Sequence, residues 1–151
     1  MLPELELDQQ FWNAISSRTD FCAWVLSKTK FSSTNAQLIT DEKWHQRWFR
    51  DPTTKKDSET DILLMFLDPS SQSRYALHIE NKPDRGRWEP LQAENYRKRA
   101  LDRMAKWRYV DFQTALLTPQ SVILRSATEV AHFDVILLYE EVARFVPDFG
   151  I

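Results

Sequence analysis

Glycine is almost missing from this 151-residue chain, with Gly86 and Gly150 its two representatives. A glycine-rich loop that cradles phosphate on backbone amides cannot be built from them, which argues against P-loop and dinucleotide-binding domains. Cysteine is rarer still, with Cys22 alone. One thiol excludes an intrachain disulfide and a cysteine-based zinc site, and it suits a reducing, cytoplasmic setting. Its neighbours Phe21, Ala23 and Trp24 mark it as a packed thiol rather than a nucleophile. No apolar run approaches the roughly 20 residues of a membrane span. The first residues carry acids where a secretory leader needs an apolar stretch, so neither a leader nor a membrane partner is expected. Charge of one sign is not in excess either: 20 Lys and Arg stand against 22 Asp and Glu, a net charge of −2. That excludes a globally basic nucleic-acid-coating protein and leaves local basic clusters open.

What is present fits one globular domain over residues 1–151, with 42% apolar and 28% charged residues and no repeat or linker. Leu7, Phe11, Trp12 and Ile15, then Phe21, Trp24 and Val25, recur at helical spacing, with a break expected near Ser16 to Asp20. Residues 31–40 are polar and mixed, and read as loop. Trp44, Gln46 and Trp48 alternate with His45, Arg47 and Phe49, which suggests a strand, and 51–57 reads as a turn. Thr60 to Leu67 and Arg74 to Lys82 read as two more strands around a turn at 68–73, completing an antiparallel meander. The period then turns helical from Leu91 to about Arg108. Phe112–Leu117 and Asp134–Leu138 read as strands, Gln120–Ala127 and Glu140–Val146 as helices. The expected class is α/β, a central mixed sheet flanked by helices.

The chemistry gathers on the meander. Glu80 and Lys82 are two apart and share a strand face, with His78 on it as well and Ile79 and Asn81 turned away. The preceding strand starts at Asp61, so an antiparallel hairpin brings Asp61 beside Glu80 and Lys82. Two carboxylates are hard oxygen ligands for Mg²⁺ or Mn²⁺, and a neighbouring ammonium can hold water or stabilise charge at phosphorus. The bland alternative is a solvated strand end with surface ion pairs. Gln92 and Tyr96 share a helix face that Arg99 and Arg103 continue, which could track a phosphate backbone. Arg85, Arg87, Arg97, Lys98, Lys106 and Arg108 make that stretch locally basic. The three histidines show no metal-ligand spacing, and Trp12, Trp24, Trp44 and Trp48 read as core.

The runs Glu59-Thr60-Asp61-Ile62-Leu63, Ala76-Leu77-His78-Ile79-Glu80-Asn81-Lys82 and Gln92-Ala93-Glu94-Asn95-Tyr96 together resemble the PD-(D/E)XK nuclease superfamily. The resemblance implies a restriction-endonuclease-like αβββαβ core and a Mg²⁺- or Mn²⁺-dependent nuclease hydrolysing phosphodiester bonds in DNA. It implies Asp61 and Glu80 as metal ligands, Lys82 as catalytic, and Gln92 and Tyr96 as lining the same site. The opening helix of such proteins often adds an acid; the candidates are Glu4, Glu6 and Asp8, with Glu6 and Asp8 nearest the helix body. His132-Phe133-Asp134 and Tyr139-Glu140-Glu141 are similar to the last strand and helix of the group, where they build fold. Thr60 stands where the motif has proline, and Pro83 follows Lys82 directly. A catalytically silent binding or assembly module and a ribonuclease are the open alternatives. So short a chain suggests low sequence specificity, or specificity supplied by a homodimer or a protein partner.

Overall fold

The computed structural model describes residues 1–41, 45–50, 55 and 57–150. Trp44 and most of the turn expected over 51–57 lie outside these residues, as do the side chains of His45 and Trp48. The chain opens with two helices, α1 (Glu4–Ser17) and α2 (Thr19–Ser27). Leu7, Phe11, Trp12 and Ile15 bury one face of α1, and Phe21 and Val25 anchor α2. The break falls at Arg18, which is extended at φ −113° and ψ 112°. Ser16 and Ser17 prepare it, their hydroxyls donating back to the carbonyls of Trp12 and Asn13.

A two-residue strand, β1 (Gln37–Leu38), follows within the stretch expected as loop. The meander is β2 (His45–Arg50), β3 (Asp57–Asp68) and β4 (Ser73–Asn81), all antiparallel. Twelve residues make β3 long enough to pair β2 along its first half and β1 near its end. The helix expected over 91–108 is two: α3 (Gln92–Asp102) and α4 (Met104–Trp107), parted at Arg103. Next come β5 (Asp111–Thr118), α5 (Gln120–Arg125), α6 (Ala127–Val130), β6 (Val135–Leu138) and α7 (Tyr139–Val142).

These strands form a single six-stranded sheet ordered β1-β3-β4-β5-β6, with β2 also on β3. β5 runs parallel to β4, and β6 parallel to β5. Parallel neighbours need a crossover, and helices α3–α4 and α5–α6 supply the two. Register sorts the residues by face: Glu80 lies beside Leu116 and Ile136, and Asn81 beside Leu117 and Leu137. Under α3, Ala93, Tyr96, Leu116 and Phe133 form a small cluster, while the main core includes Leu117, Leu137, Phe11, Phe21 and Phe149. Trp12 is buried in that core and Trp24 packs against it, as expected of both. Among the described residues, no helix is long and apolar enough to cross a membrane.

Candidate metal and catalytic centre

The candidate residues collect at the carboxyl end of β4, where the antiparallel half of the sheet meets the parallel half. Carboxyl ends of parallel strands are where such sheets build sites, because the crossovers leave a crevice there. Lys82 continues past β4, its amide donating to the Leu117 carbonyl at 2.9 Å. The Thr118 hydroxyl donates to the Lys82 carbonyl at 2.6 Å. β5 thereby fixes the backbone on which Glu80 and Lys82 stand.

On the α3 face, three side chains close a triangle. The Gln92 amide nitrogen donates to Glu80 Oε1 at 2.8 Å, and Lys82 Nζ donates to Gln92 Oε1 at 3.1 Å. Lys82 Nζ lies 3.3 Å from Glu80 Oε1. Gln92 opens α3 one turn before Tyr96, and both point at the end of β4. The Tyr96 hydroxyl accepts from the Asp61 amide at 3.2 Å and donates to the Ile79 carbonyl at 3.3 Å. It bridges the two strands where the pairing of β3 with β4 ends, at Ile62 opposite Ile79.

On the α1 face, the acids collect. Single carboxylate oxygens of Glu4, Asp8 and Asp61 all lie within 4.8 Å of one another. Glu4 and Asp8 are one helical turn apart and so face the sheet together. Asn81 organises this group: its side-chain amide donates to Asp8 Oδ1 at 2.7 Å, and its backbone amide to Asp61 Oδ2 at 2.9 Å. Its own carbonyl oxygen accepts from the Tyr139 hydroxyl.

The electrostatics follow from burial and from like charge. Burial raises the Asp61 carboxyl well above the ordinary range, and the charges of Glu80 and Asp8 raise it further. Burial pushes Asp8 up to about 7, against the Asn81 hydrogen bond and with Glu4 and Glu80 adding to the rise. Glu4 is raised by partial burial and then by Glu80. Tyr96 is raised by burial, then by the charges of Asp61 and Glu80. Such a donor set is all oxygen, hard and under-compensated by cationic side chains. It suits a divalent cation of the Mg²⁺ or Mn²⁺ kind, whose charge would relieve the repulsion.

Thus two groups meet at the end of β4: Glu80, Lys82 and Gln92 toward α3, and Asp61 with Asp8 and Glu4 toward α1, close enough for the Glu80 charge to raise Asp61. Glu6 is exposed and stands apart from both. Strict alternation from Leu63 opposite His78 would set Asp61 on the His78 face and Thr60 on the other. Instead the Thr60 hydroxyl meets His78 Nδ1 at 2.8 Å, while the Asp61 carboxylate joins α1. Two residues expected to meet phosphate do not reach solvent. Tyr96 is 1% exposed and serves the strands, and Arg99 is 1% exposed. Arg99 bonds Thr60 Oγ1 at 2.8 Å and Ser58 Oγ at 2.7 Å, its guanidinium 4.3 Å over the Tyr96 ring. Arg103 is partly covered and lies over Trp107.

Three contributors were not expected from the sequence: Asn81, Trp88 and Tyr139. Glu4 was one of the three candidate acids, and its four-residue spacing from Asp8 was the signal that pairs the two. Asn81 sits inside Glu-Asn-Lys and is turned away from its neighbours, yet that is the face on which the acids of α1 lie. Trp88 lies in the loop between Lys82 and Gln92, where no periodicity fixes a side chain's direction, and Tyr139 comes from a distant segment with no local signal. Compared with known proteins, the chain matches no family model, and no curated protein or solved structure matches it.

Proposed function

We propose that this chain is a divalent-metal-dependent nuclease of the PD-(D/E)XK type, built on a restriction-endonuclease-like core and hydrolysing phosphodiester bonds in DNA. One observation carries the reading: carboxylate oxygens of Glu4, Asp8 and Asp61 lie within 4.8 Å of one another, near enough to Glu80 for its charge to raise Asp61, and Glu80 is paired with a lysine held by Gln92. Such crowding is costly without a cation to neutralise it, and sites that tolerate it are commonly functional.

Asp61 and Glu80, with Asp8 and Glu4, would hold the ion. Bound there, Mg²⁺ or Mn²⁺ supplies Lewis-acid polarisation of a phosphoryl oxygen and acidifies water. Asn81 fixes the orientation of Asp8 and Asp61 through two hydrogen bonds. Gln92 orders Glu80 and Lys82 relative to each other. The Lys82 ammonium places positive charge where negative charge grows at phosphorus, an arrangement set before the reaction and so free of reorganisation cost. Exposed Arg85 and Arg87, three and five residues after Lys82, take the phosphate-contacting role first expected of Arg99. DNA as substrate, and a homodimer or protein partner as the source of specificity, rest on the resemblance alone.

The test is nicking of supercoiled plasmid with Mg²⁺ or Mn²⁺, comparing wild type with Asp61→Ala and Lys82→Ala. Wild type is expected to cut, with each variant slowed at least on the order of 100-fold. Parallel labelled RNA distinguishes a ribonuclease. Equal rates in all three proteins would remove the assignment.

A further inference from the structure

A lysine ammonium carries three N–H donors on a flexible four-carbon stem, so it holds one position only when its surroundings fix it. Around Lys82 three acceptors are in place. Besides Gln92 Oε1 and Glu80 Oε1, the Arg87 carbonyl accepts from Nζ at 2.9 Å. A fourth side is closed by Trp88, whose ring centroid lies 4.6 Å from Nζ. Lys82 is consequently 5% exposed.

The loop that makes these contacts is itself braced. Trp88 Nε1 donates to Ser126 Oγ at 3.1 Å, and its ring leans on Phe133 at 6.1 Å between centroids. Gly86 lies against the lysine stem: a Cβ there would meet Lys82 Cδ at 2.7 Å and the Pro83 carbonyl at 2.9 Å. The loop returns to α3 through Leu91 at φ 64°, a left-handed conformation that costs a non-glycine residue on the order of 1 kcal/mol. Strain of this kind persists where surrounding contacts over-determine the backbone.

We propose that Trp88 is a positioning residue for Lys82: its ring face, anchored through Ser126 and Phe133, holds the ammonium beside Glu80. Cation–π attraction is strongest where water is excluded, as it is around this lysine. The segment flanking α6 thereby reaches the centre without touching it. The catalytic consequence rests on the nuclease reading; the positioning itself does not.

The experiment therefore has two readouts. Trace acetylation of the intact protein with acetic anhydride, mapped by mass spectrometry, reports the freedom of the Lys82 amine, with Lys28 as internal reference. Plasmid cleavage gives kcat and KM. In Trp88→Leu, Lys82 acetylation is expected to rise on the order of 10-fold and kcat to fall by a similar factor, with KM unchanged. Trp88→Phe keeps a ring face and should fall between wild type and Trp88→Leu. Ser126→Ala loosens only the indole anchor and should raise acetylation about threefold, which keeps the proposal testable if Trp88→Leu folds poorly. Wild-type acetylation in Trp88→Leu, or equal acetylation in the Phe and Leu variants, overturns it. If wild type cuts nothing while the acetylation pattern holds, the nuclease reading fails and the positioning role stands.

Discussion

Asp8 couples the site to stability most directly. Its carboxyl titrates at about 7 in the folded chain, against roughly 3.9 for an unfolded aspartate. The folded state thus binds this proton more tightly, so the residue's contribution makes stability fall as pH rises from about 4 to about 7. In EDTA, Asp8→Asn should match wild type near pH 4 and exceed it at pH 8, by up to roughly 4 kcal/mol in urea unfolding. Asparagine keeps the acceptor that Asn81 uses, so the packing is retained. A difference that is flat with pH would show that Asp8 is not held protonated by burial. At this scale the sequence was informative where spacing along one element sufficed. Glu80 and Lys82 needed only a two-residue strand period, whereas Gln92 was set beside them by the resemblance and not by spacing. Arg99 was misassigned because helical spacing gives a face and not its depth: continuing the Gln92–Tyr96 stripe carried it inward, to Thr60 and Ser58.

Between elements, the centre leans on a buried polar chain whose direction is fixed by its donors. Arg99 Nε donates to Thr60 Oγ1, which must then donate to His78 Nδ1. His78 Nε2, carrying the proton, donates to the Tyr109 hydroxyl at 3.1 Å, and that hydroxyl donates to the Ala100 carbonyl. The Thr60, His78 and Tyr109 donors all find acceptors only if His78 is neutral, and burial together with the Arg99 charge lowers it to about 3. The chain ties α3 to β3 and β4 behind Glu80. Thr60→Val keeps the shape and removes the hydroxyl, leaving the Arg99 and His78 groups unpaired. A loss of roughly 2–3 kcal/mol is expected by urea unfolding, with Thr60→Ser much milder. A neutral Thr60→Val would mean that water replaces the hydroxyl. The long elements were legible from periodicity, including the α1–α2 break near Arg18. The short ones were not. Two-residue β1 has no period, and α3 and α4 share one apolar stripe across the Arg103 kink. At Asp61 alternation failed because the Tyr96 hydroxyl, 35 residues away in sequence, stands between the strands.

For the molecule as a whole, the arrangement of the sheet explains why one short strand end can serve two helices. β4 is bordered by antiparallel β3 and parallel β5, and successive residues at its end turn to opposite faces. Glu80 and Lys82 meet Gln92 of α3, while Asn81 between them meets Asp8 of α1. The mixed α/β class and the meander could be read from the sequence, because runs of apolar residues and turns mark them. The docking of α1 against the end of β4 could not, since it depends on contacts 73 residues apart. That docking gathers the acids, and their closure on a divalent ion is the claim from which the rest follows. Mn²⁺ titration followed by electron paramagnetic resonance measures it without reference to any substrate. Wild type should bind one equivalent saturably, and Asp61→Asn at least about tenfold more weakly. No saturable binding by wild type, or the same affinity in Asp61→Asn, would contradict it.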